Sequence, residues 1–190
     1  MKSLEIIGFK RANLGKASSR DMRREAMVPC VLYGNKMENI FFSVPMILFR
    51  ELVYTANVYQ VDLNIEGTHY KAILQDIQFH PVNELILHAD FLLLQDDKAI
   101  KMDIPVKIVG TSLGVQQGGK LLVKLKTLAV KALPKDMPDY IDVDVTKLEV
   151  GKSIRVEELP AANYEMVTPG SVTIATVAVT RALKQAASGK

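Results

Sequence analysis

Six basic residues fall between positions 10 and 24, and their side chains are the ones best suited to bind a charged ligand. Asp21 is the only acidic residue in that stretch, so most of the positive charge has no carboxylate partner close in sequence. Arginine forks match phosphate oxygens bidentately, and serine or tyrosine hydroxyls can add contacts beside them. The residue types therefore predict a phosphate-binding basic segment, which contains Lys10, Arg11, Lys16, Arg20, Arg23 and Arg24.

The charge is polarised along the first half of the chain. Residues 10–24 carry a net charge of +5, whereas residues 25–95 carry −5. A local concentration of positive charge is typical of a binding site for a polyanion. A protein that binds polyanions nonspecifically has its basic residues distributed along the whole chain. The alternative interpretation is a charged helix that simply faces water, and composition alone does not decide between the two.

Length and composition are those of an ordinary globular protein. The 190 residues are 48% apolar and 24% charged, with a net charge of +3. Because this net charge is small, nucleic-acid binding would depend on local basic patches of the surface. Cys30 is the only cysteine, which excludes an intrachain disulfide and a cysteine-based zinc cluster. The N-terminus lacks the apolar stretch of a secretory signal, and no apolar run approaches the ~20 residues that span a bilayer. We expect a cytoplasmic protein with no membrane partner.

A helix is predicted within the basic segment, and three of its arginines form a cationic ridge. Ser18 can accept a hydrogen bond from an orphan backbone amide at the helix start, with Asp21 as its reciprocal partner. Val28 precedes Pro29, so the helix should end near Val28. Spacing then places Arg20, Arg23 and Arg24 on one face, with Met22 and Ala26 turned towards a core.

The other elements of the first half are mostly strands. Alternation predicts strands at 4–9, 30–33, 40–44, 61–65, 69–79 and 85–94, with a helix at 46–56 and a tight turn at Glu66-Gly67. The second half has strand patterns at 100–109, 121–133, 141–145, 154–159 and 171–180, separated by glycine and proline turns, which indicates a small sandwich or barrel. A polar hinge at 95–98 marks the expected boundary, giving domains 1–94 and 95–180 and a flexible tail at 181–190.

The tempting catalytic and metal motifs are weak. Residues 114–120 spell the start of a P-loop, but Leu121 stands where a magnesium-holding hydroxyl belongs, and a strand pattern follows in place of a helix. Asp142 and Asp144 alternate as solvent-facing strand residues, and the three histidines lack metal-ligand spacing. Cys30 lies among apolar residues and is interpreted as buried filler. We therefore predict no enzyme activity, no cofactor and no metal site.

His88 and Asp90 share one face of the strand predicted at 85–94. Residues two apart in a strand point the same way. The pair could form a polar contact surface, or it could be no more than an internal hydrogen bond.

Three sequence blocks together resemble a known family. The segments GKASSRDMRR, VPCVLYG and LQDIQFHPVNELILHADF are similar in order and spacing to bacterial large-subunit ribosomal protein number twenty-five, also called the general stress protein of CTC type. GTSLGVQQGGKL and LPKDMPDYIDVDVTKLEVGKSIRVEEL resemble the second domain of its long form. The resemblance implies a mainly β fold with short helices, in which an N-terminal small β-barrel precedes a second β-rich, sandwich- or barrel-like domain.

The resemblance also implies a function and a site. It implies a structural protein of the large ribosomal subunit that binds 5S ribosomal RNA around loop E, with no DNA partner and as a monomer away from the ribosome. Two positions depart from the family pattern: Asp21 stands where a further basic residue is common, and Phe79 stands where some members carry arginine. Gln75 and Gln78 have opposite parity on a regular strand, so Gln75 is chosen. The implied RNA-binding residues are Arg11, Lys16, Ser19, Arg20, Arg23, Tyr33, Gln75, His88 and Asp90.

Two other classes of function stay open at this point. One is a protein–protein scaffold of two β domains, with the ridge docked on an acidic surface. The other is a nucleotide-binding enzyme or hydrolase that uses residues 114–120 or the Asp142 and Asp144 pair. The partner of the second domain is not predicted.

Overall fold

The computed structural model describes residues 2–34, 37–160 and 163–180, and the chain divides into two compact units, Met1–Lys98 and Ala99–Lys190. The first unit is a closed six-stranded barrel with strand order β1-β3-β2-β6-β5-β4. Its strands are β1 (Lys2–Lys10), β2 (Met27–Tyr33), β3 (Ile40–Pro45), β4 (Tyr59–Ile65), β5 (Thr68–Phe79) and β6 (Ile86–Leu93).

Parallel pairing closes the barrel. β1 pairs in parallel with β4, and β2 pairs in parallel with β6, while the remaining neighbours are antiparallel. Closure leaves no free strand edge in the barrel, so every strand can turn one row of side chains inward. The predicted strands of the first half are all present, with ends that differ by a few residues.

Three phenylalanine rings fill the centre of the barrel. Phe42, Phe49 and Phe91 are fully buried, with ring centroids 5.8 Å apart for Phe42 and Phe91 and 6.2 Å apart for Phe49 and Phe91. Gly8 lies against this cluster, since a Cβ there would come within 2.7 Å of the Phe42 ring. Cys30 is also fully buried, as its apolar flanks predicted.

The helix of the basic segment differs from its prediction at both ends. α1 spans Lys16–Arg24 and follows Gly15, whose positive φ lets the chain turn into the helix. Ser18 does not cap it and donates instead to the Asn13 carbonyl at 3.2 Å. The helix ends before Ala26, which adopts a left-handed φ of 58° and is exposed, so the expectation that Ala26 faces a core was wrong. The turn at Ala26 is needed because β2 starts at Met27, well before Pro29.

Two further local predictions concern the barrel. The helix predicted at 46–56 forms as a single 3-10 turn, Met46–Leu48, followed by α2 at Phe49–Tyr54. The hairpin between β4 and β5 turns at Glu66 and Gly67, with φ values of 51° and 86°. Positive φ at both positions is the signature of the tight hairpin turn that the sequence predicted.

The second unit is built from two small sheets. One has the order β10-β7-β9-β12 and the other β11-β13-β8. Both contain fully buried apolar side chains, among them Ile104, Leu128 and Ile174. The strands are β7 (Ile100–Val109), β8 (Lys120–Val123), β9 (Thr127–Ala132), β10 (Ile141–Asp144), β11 (Ser153–Arg155), β12 (Glu165–Met166) and β13 (Thr173–Ala178).

The stretch that carries the P-loop-like letters combines a short helix, a turn and a strand. A short helix, α3 (Leu113–Gln116), precedes the turn into β8. Ser112 caps it by accepting a hydrogen bond from Gly114 N at 3.1 Å. Gly114 is packed against the backbone of Glu149 and Val150, so its lack of a side chain serves close packing. The predicted strand region at 121–133 divides into β8 and β9, which lie in different sheets. The mainly β fold with an N-terminal barrel and a second β-rich unit is confirmed.

Candidate nucleic-acid interface

A cleft of about 500 Å³ separates α1 from the outer wall of the barrel. It brings together five of the nine predicted contact residues, which come from the loop after β1, from α1 and from β6. Arg11, Lys16, Ser19, Arg23 and His88 line it, together with Leu14, Gly15, Pro29 and Phe41.

Arg11 is held in place by the backbone on one side and by α1 on the other. Its amide donates to the Phe41 carbonyl at 2.9 Å, which extends the pairing of β1 with β3 by one residue. Its Nη2 donates to Ser19 Oγ at 3.0 Å, and the Ser19 hydroxyl in turn donates to the Gly15 carbonyl at 2.9 Å. Arg11 Nε is buried and has no hydrogen-bond partner among the residues that the structure describes.

Arg23 reaches the cleft from the other side. Its Nε donates to the Leu87 carbonyl at 3.0 Å, which ties the last turn of α1 to the start of β6. Burial, and then the positive charge of Arg23, lower the pKa of the Arg11 guanidinium. Across residues 2–34, 37–160 and 163–180, no carboxylate lies within ion-pair distance of either arginine. The cleft thus holds two like charges that an anion would neutralise.

Arg20 and Arg24 lie on the solvent side of the same helix. Asp21 Oδ1 is 3.7 Å from Arg20 Nε and 3.7 Å from Arg24 Nη1, and all three side chains are more than half exposed. The basic ridge is therefore divided, because Arg23 is fixed against the barrel while Arg20 and Arg24 share one exposed carboxylate. Lys16 is exposed at the start of the helix.

His88 and Asp90 form a pair on the outer wall beside the cleft. His88 Nδ1 lies 2.6 Å from Asp90 Oδ1, with about a third of each side chain exposed. Both residues point outward because their neighbours Ala89 and Phe91 are fully buried inside the barrel. The two interpretations of this pair are compatible, since the residues bond to each other and still present polar atoms to solvent.

Gln75 occupies an irregular position in β5. Leu74 pairs with Phe91 and the next pair is Asp76 with Asp90, so Gln75 is an extra residue without a partner of its own on β6. Such a bulge shifts the side-chain alternation by one residue.

The bulge removes the reason for preferring one glutamine over the other. Gln78 lies directly opposite His88 on the outer wall, and both Gln75 and Gln78 are exposed. The parity argument required a regular strand, and β5 is not regular here. Gln75 stays a predicted contact, and Gln78 is a candidate that the sequence reasoning missed. No glycine or proline marks the bulge, so the sequence offers no local signal for it.

Tyr33 completes the wall on the neighbouring strand β2. It is half-buried, and burial raises the pKa of its phenol, with smaller contributions from the carboxylates of Asp90 and Asp76. Asp76 stands directly opposite Asp90 across the β5–β6 pair. The outer wall therefore presents a phenol donor and two carboxylate acceptors close to the cationic cleft.

The other candidate sites gain no support from the geometry. Within the part of the chain that the structure describes, no group of three or more His, Cys, Asp or Glu residues is arranged to hold a metal ion. His69 pairs instead with Asp62, at 3.1 Å between Nδ1 and Oδ1, on the barrel exterior. The described helices include none that is long and apolar enough to cross a bilayer.

Comparisons with known proteins agree with this architecture. The family model described as "Ribosomal L25p family" matches residues 6–91, which cover most of the barrel. The large ribosomal subunit protein bL25 of Cytophaga hutchinsonii is 52% identical over 97% of this chain and 96% of its own length. The chain belongs to the ribosomal L25p family. The resemblance drawn from the three sequence blocks is thereby confirmed.

Further L25p relatives extend the match over both units. The bL25 protein of Amoebophilus asiaticus is 52% identical over 99% of this chain, and that of Porphyromonas gingivalis is 40% identical over 100% of it. A second family model, described as the C-terminal domain of ribosomal protein TL5, matches residues 99–181. The L25p family is structural and non-enzymatic, which confirms the prediction that this chain is not an enzyme.

Proposed function

We propose that the barrel unit binds 5S ribosomal RNA at its loop E region, through the α1 cleft and the adjoining outer wall of β2, β5 and β6. As an L25p family member the protein is a structural component of the bacterial large ribosomal subunit, and its place is on the ribosome in the cytoplasm. The proposal concerns which RNA it holds there and with which residues. We propose that a single copy of the protein binds the RNA.

The position of Arg11 beside Arg23 in one cleft is the observation that carries the proposal. Two guanidinium groups converge in one cleft without a described carboxylate partner, and one of them keeps a buried Nε without a hydrogen bond. Leaving such donors unsatisfied costs free energy in the isolated protein. A phosphate group offers several acceptor oxygens and a negative charge, so it would satisfy both guanidiniums at once.

The outer wall would supply the selectivity that phosphate contacts lack. Phosphate contacts fix position and orientation, whereas recognition of a particular RNA needs contacts to bases and riboses. A-form RNA presents its base edges and 2′-hydroxyls on a wide, shallow minor groove. Asp90 and Asp76 can accept hydrogen bonds from amino groups or 2′-hydroxyls, and Tyr33 and Gln78 can donate. These groups stand on rigid barrel strands, so they meet the RNA already positioned.

A binding titration of the full chain tests the proposal. A 5S RNA loop E fragment would be compared with a plain RNA duplex and a DNA duplex of equal length, each over a series of salt concentrations. We expect preferential binding to the loop E fragment, with affinity that falls steeply as salt rises. Equal and weak binding to all three would contradict the proposal and favour a protein–protein role for the basic segment.

A further inference from the structure

The second unit contains a groove whose chemistry is opposite to that of the α1 cleft. It has a volume of about 420 Å³ and runs between β10 and the segment that contains β11 and the 3-10 turn Val156–Glu158. Of its eight lining residues three are acidic and none is basic, among the residues that the structure describes. The acidic lining residues are Asp142, Asp144 and Glu158, and the others are Val109, Val143, Ile154, Leu159 and Pro160.

One wall of the groove is a sheet edge. β10 is the last strand of its sheet and pairs only with β7, as far as the described strands go. The Val145 amide donates to the Val109 carbonyl on the β7 side. Backbone groups alternate in direction along a strand, so the amide and carbonyl groups of Asp142 and Asp144 point to the open side. An exposed edge of this kind can accept a further strand.

The side chains of the groove select what could pair with that edge. Asp142 has no hydrogen bond or ion pair within the described part of the chain, whereas Asp144 is engaged by the amide and hydroxyl of Thr146. Glu158 accepts a hydrogen bond from the Arg155 amide. The hydrogen bonds from Thr146, and to a smaller extent the positive charge of Lys147, lower the pKa of Asp144. The surplus of negative charge repels nucleic acid and attracts cations.

We propose that this groove binds an extended, lysine- or arginine-bearing polypeptide segment of another protein, which adds a strand to the free edge of β10. Main-chain hydrogen bonds to Asp142 and Asp144 would provide the alignment, and alternate side chains would point to opposite faces. Cationic side chains would meet Asp142 and Glu158, and apolar ones would cover Ile154 and Leu159. This assigns the second unit a polypeptide partner, whereas the barrel unit faces RNA.

Amide chemical-shift mapping of the full chain provides the test. The probe is a short peptide of alternating lysine and valine residues, titrated into ¹⁵N-labelled protein. We expect shifts at 141–144 and at 154–159, with saturable binding. The same peptide with alternate amides N-methylated keeps its charge and cannot pair as a strand, so we expect it not to bind. Equal binding of the two peptides, or shifts located elsewhere, would overturn the proposal.

Two charge-reversal variants separate the groove from the general surface. Asp142→Lys places a cation in the groove, and we expect it to raise the dissociation constant of the peptide about tenfold. Asp103→Lys makes the same change at an exposed position on β7 outside the groove and should leave binding unchanged. Equal effects of the two variants would show attraction to net charge alone and overturn the assignment.

Sedimentation of the unlabelled protein tests whether a second copy of this chain, in place of another protein, binds the groove. We expect a monomer at all concentrations for both the original sequence and Asp142→Lys. Self-association that Asp142→Lys abolishes would overturn the proposal by making the β10 edge a contact between copies.

Discussion

Arg11 and Arg23 bring two guanidinium groups into one cleft, and the charge of Arg23 adds to burial in lowering the pKa of Arg11. Arg11 comes from the loop after β1 and Arg23 from the last turn of α1, so the two residues meet only because the loop and the helix pack on the same side of the barrel. Each is anchored by a hydrogen bond, to Ser19 Oγ and to the Leu87 carbonyl respectively. Both guanidinium groups are therefore held in position by the protein itself.

Replacing Arg11 with alanine should weaken binding to the loop E fragment about tenfold or more, because a charge-assisted hydrogen bond to phosphate is lost. The slope of log affinity against log salt should also fall by about 1. A titration over a salt series measures both. Lys101→Ala removes the same charge from β7 in the second unit and serves as the control. An unchanged slope for Arg11→Ala would argue against a phosphate at this position.

Replacing Asp21 with asparagine should strengthen RNA binding by a few-fold. Asp21 lies 3.7 Å from both Arg20 and Arg24, and removing its charge leaves both arginines free for phosphate. The free energy of unfolding should change by less than about 1 kcal/mol, because the pairs are exposed. Affinity and urea denaturation are the two measurements. Weaker binding by Asp21→Asn would mean that the carboxylate itself contacts the RNA.

Replacing Arg20 with alanine should show the opposite change, with lower affinity for the RNA and a flatter dependence of affinity on salt.

Replacing His88 with alanine should reduce the preference for the loop E fragment over a plain duplex. His88 is bonded to Asp90 at 2.6 Å and lies opposite Gln78, so its loss frees the Asp90 carboxylate to move. The ratio of the two dissociation constants is the measurement. Tyr33→Phe, which removes only a hydroxyl, should lower the same ratio to a smaller extent. A proportional loss of affinity for both RNAs would indicate that the wall contributes no selectivity.

Replacing Phe91 with alanine should lower the free energy of unfolding of the barrel by about 3–5 kcal/mol, because the cavity left in a packed aromatic cluster cannot fully collapse. Phe91 is fully buried against Phe42 and Phe49. Urea unfolding measures the change. Phe79→Ala is the matched control, since Phe79 is 40% exposed and its truncation should cost under about 1 kcal/mol.

The Cys30 thiol should not react with a thiol reagent at pH 8 while the protein is folded. Burial raises the pKa of this thiol, the charge of Asp90 raises it further, and Arg11 offsets part of the increase. The thiolate is the reactive form, so a raised pKa and lack of access both protect it. Reaction on addition of denaturant would report barrel unfolding, and Cys30→Ser gives the background. Rapid labelling in native buffer would contradict this prediction.

The same shift has a consequence for stability. The thiol keeps its proton in the folded state at pH values where the unfolded chain begins to lose it, near the ordinary pKa of 9.0. The contribution of Cys30 to stability is therefore complete below that pH and is lost as pH rises above it. Cys30→Ser should show less of this alkaline loss in urea unfolding between pH 8 and pH 10.

Much of the barrel follows from local sequence patterns. Val61, Leu63 and Ile65 alternate with polar residues and form β4, with these three side chains buried. The left-handed turn at Gly67 follows from glycine chemistry, and the basic segment between positions 10 and 24 is visible in composition alone. Each of these features depends on residues a few positions apart, which is the range over which periodicity and turn preferences operate.

Sequence alone therefore determined the β class of the chain, the strands of the barrel, its buried cysteine and the existence of one cationic segment. Only the tertiary structure decided that Arg23 bonds to a carbonyl sixty-four residues away, that Arg11 stands beside it, and that a bulge at Gln75 turns Gln78 towards His88. These relationships depend on how β2 pairs with β6 and on where α1 lies against the barrel. Contacts between distant segments are fixed by packing of the whole unit, and no local pattern of residues encodes them.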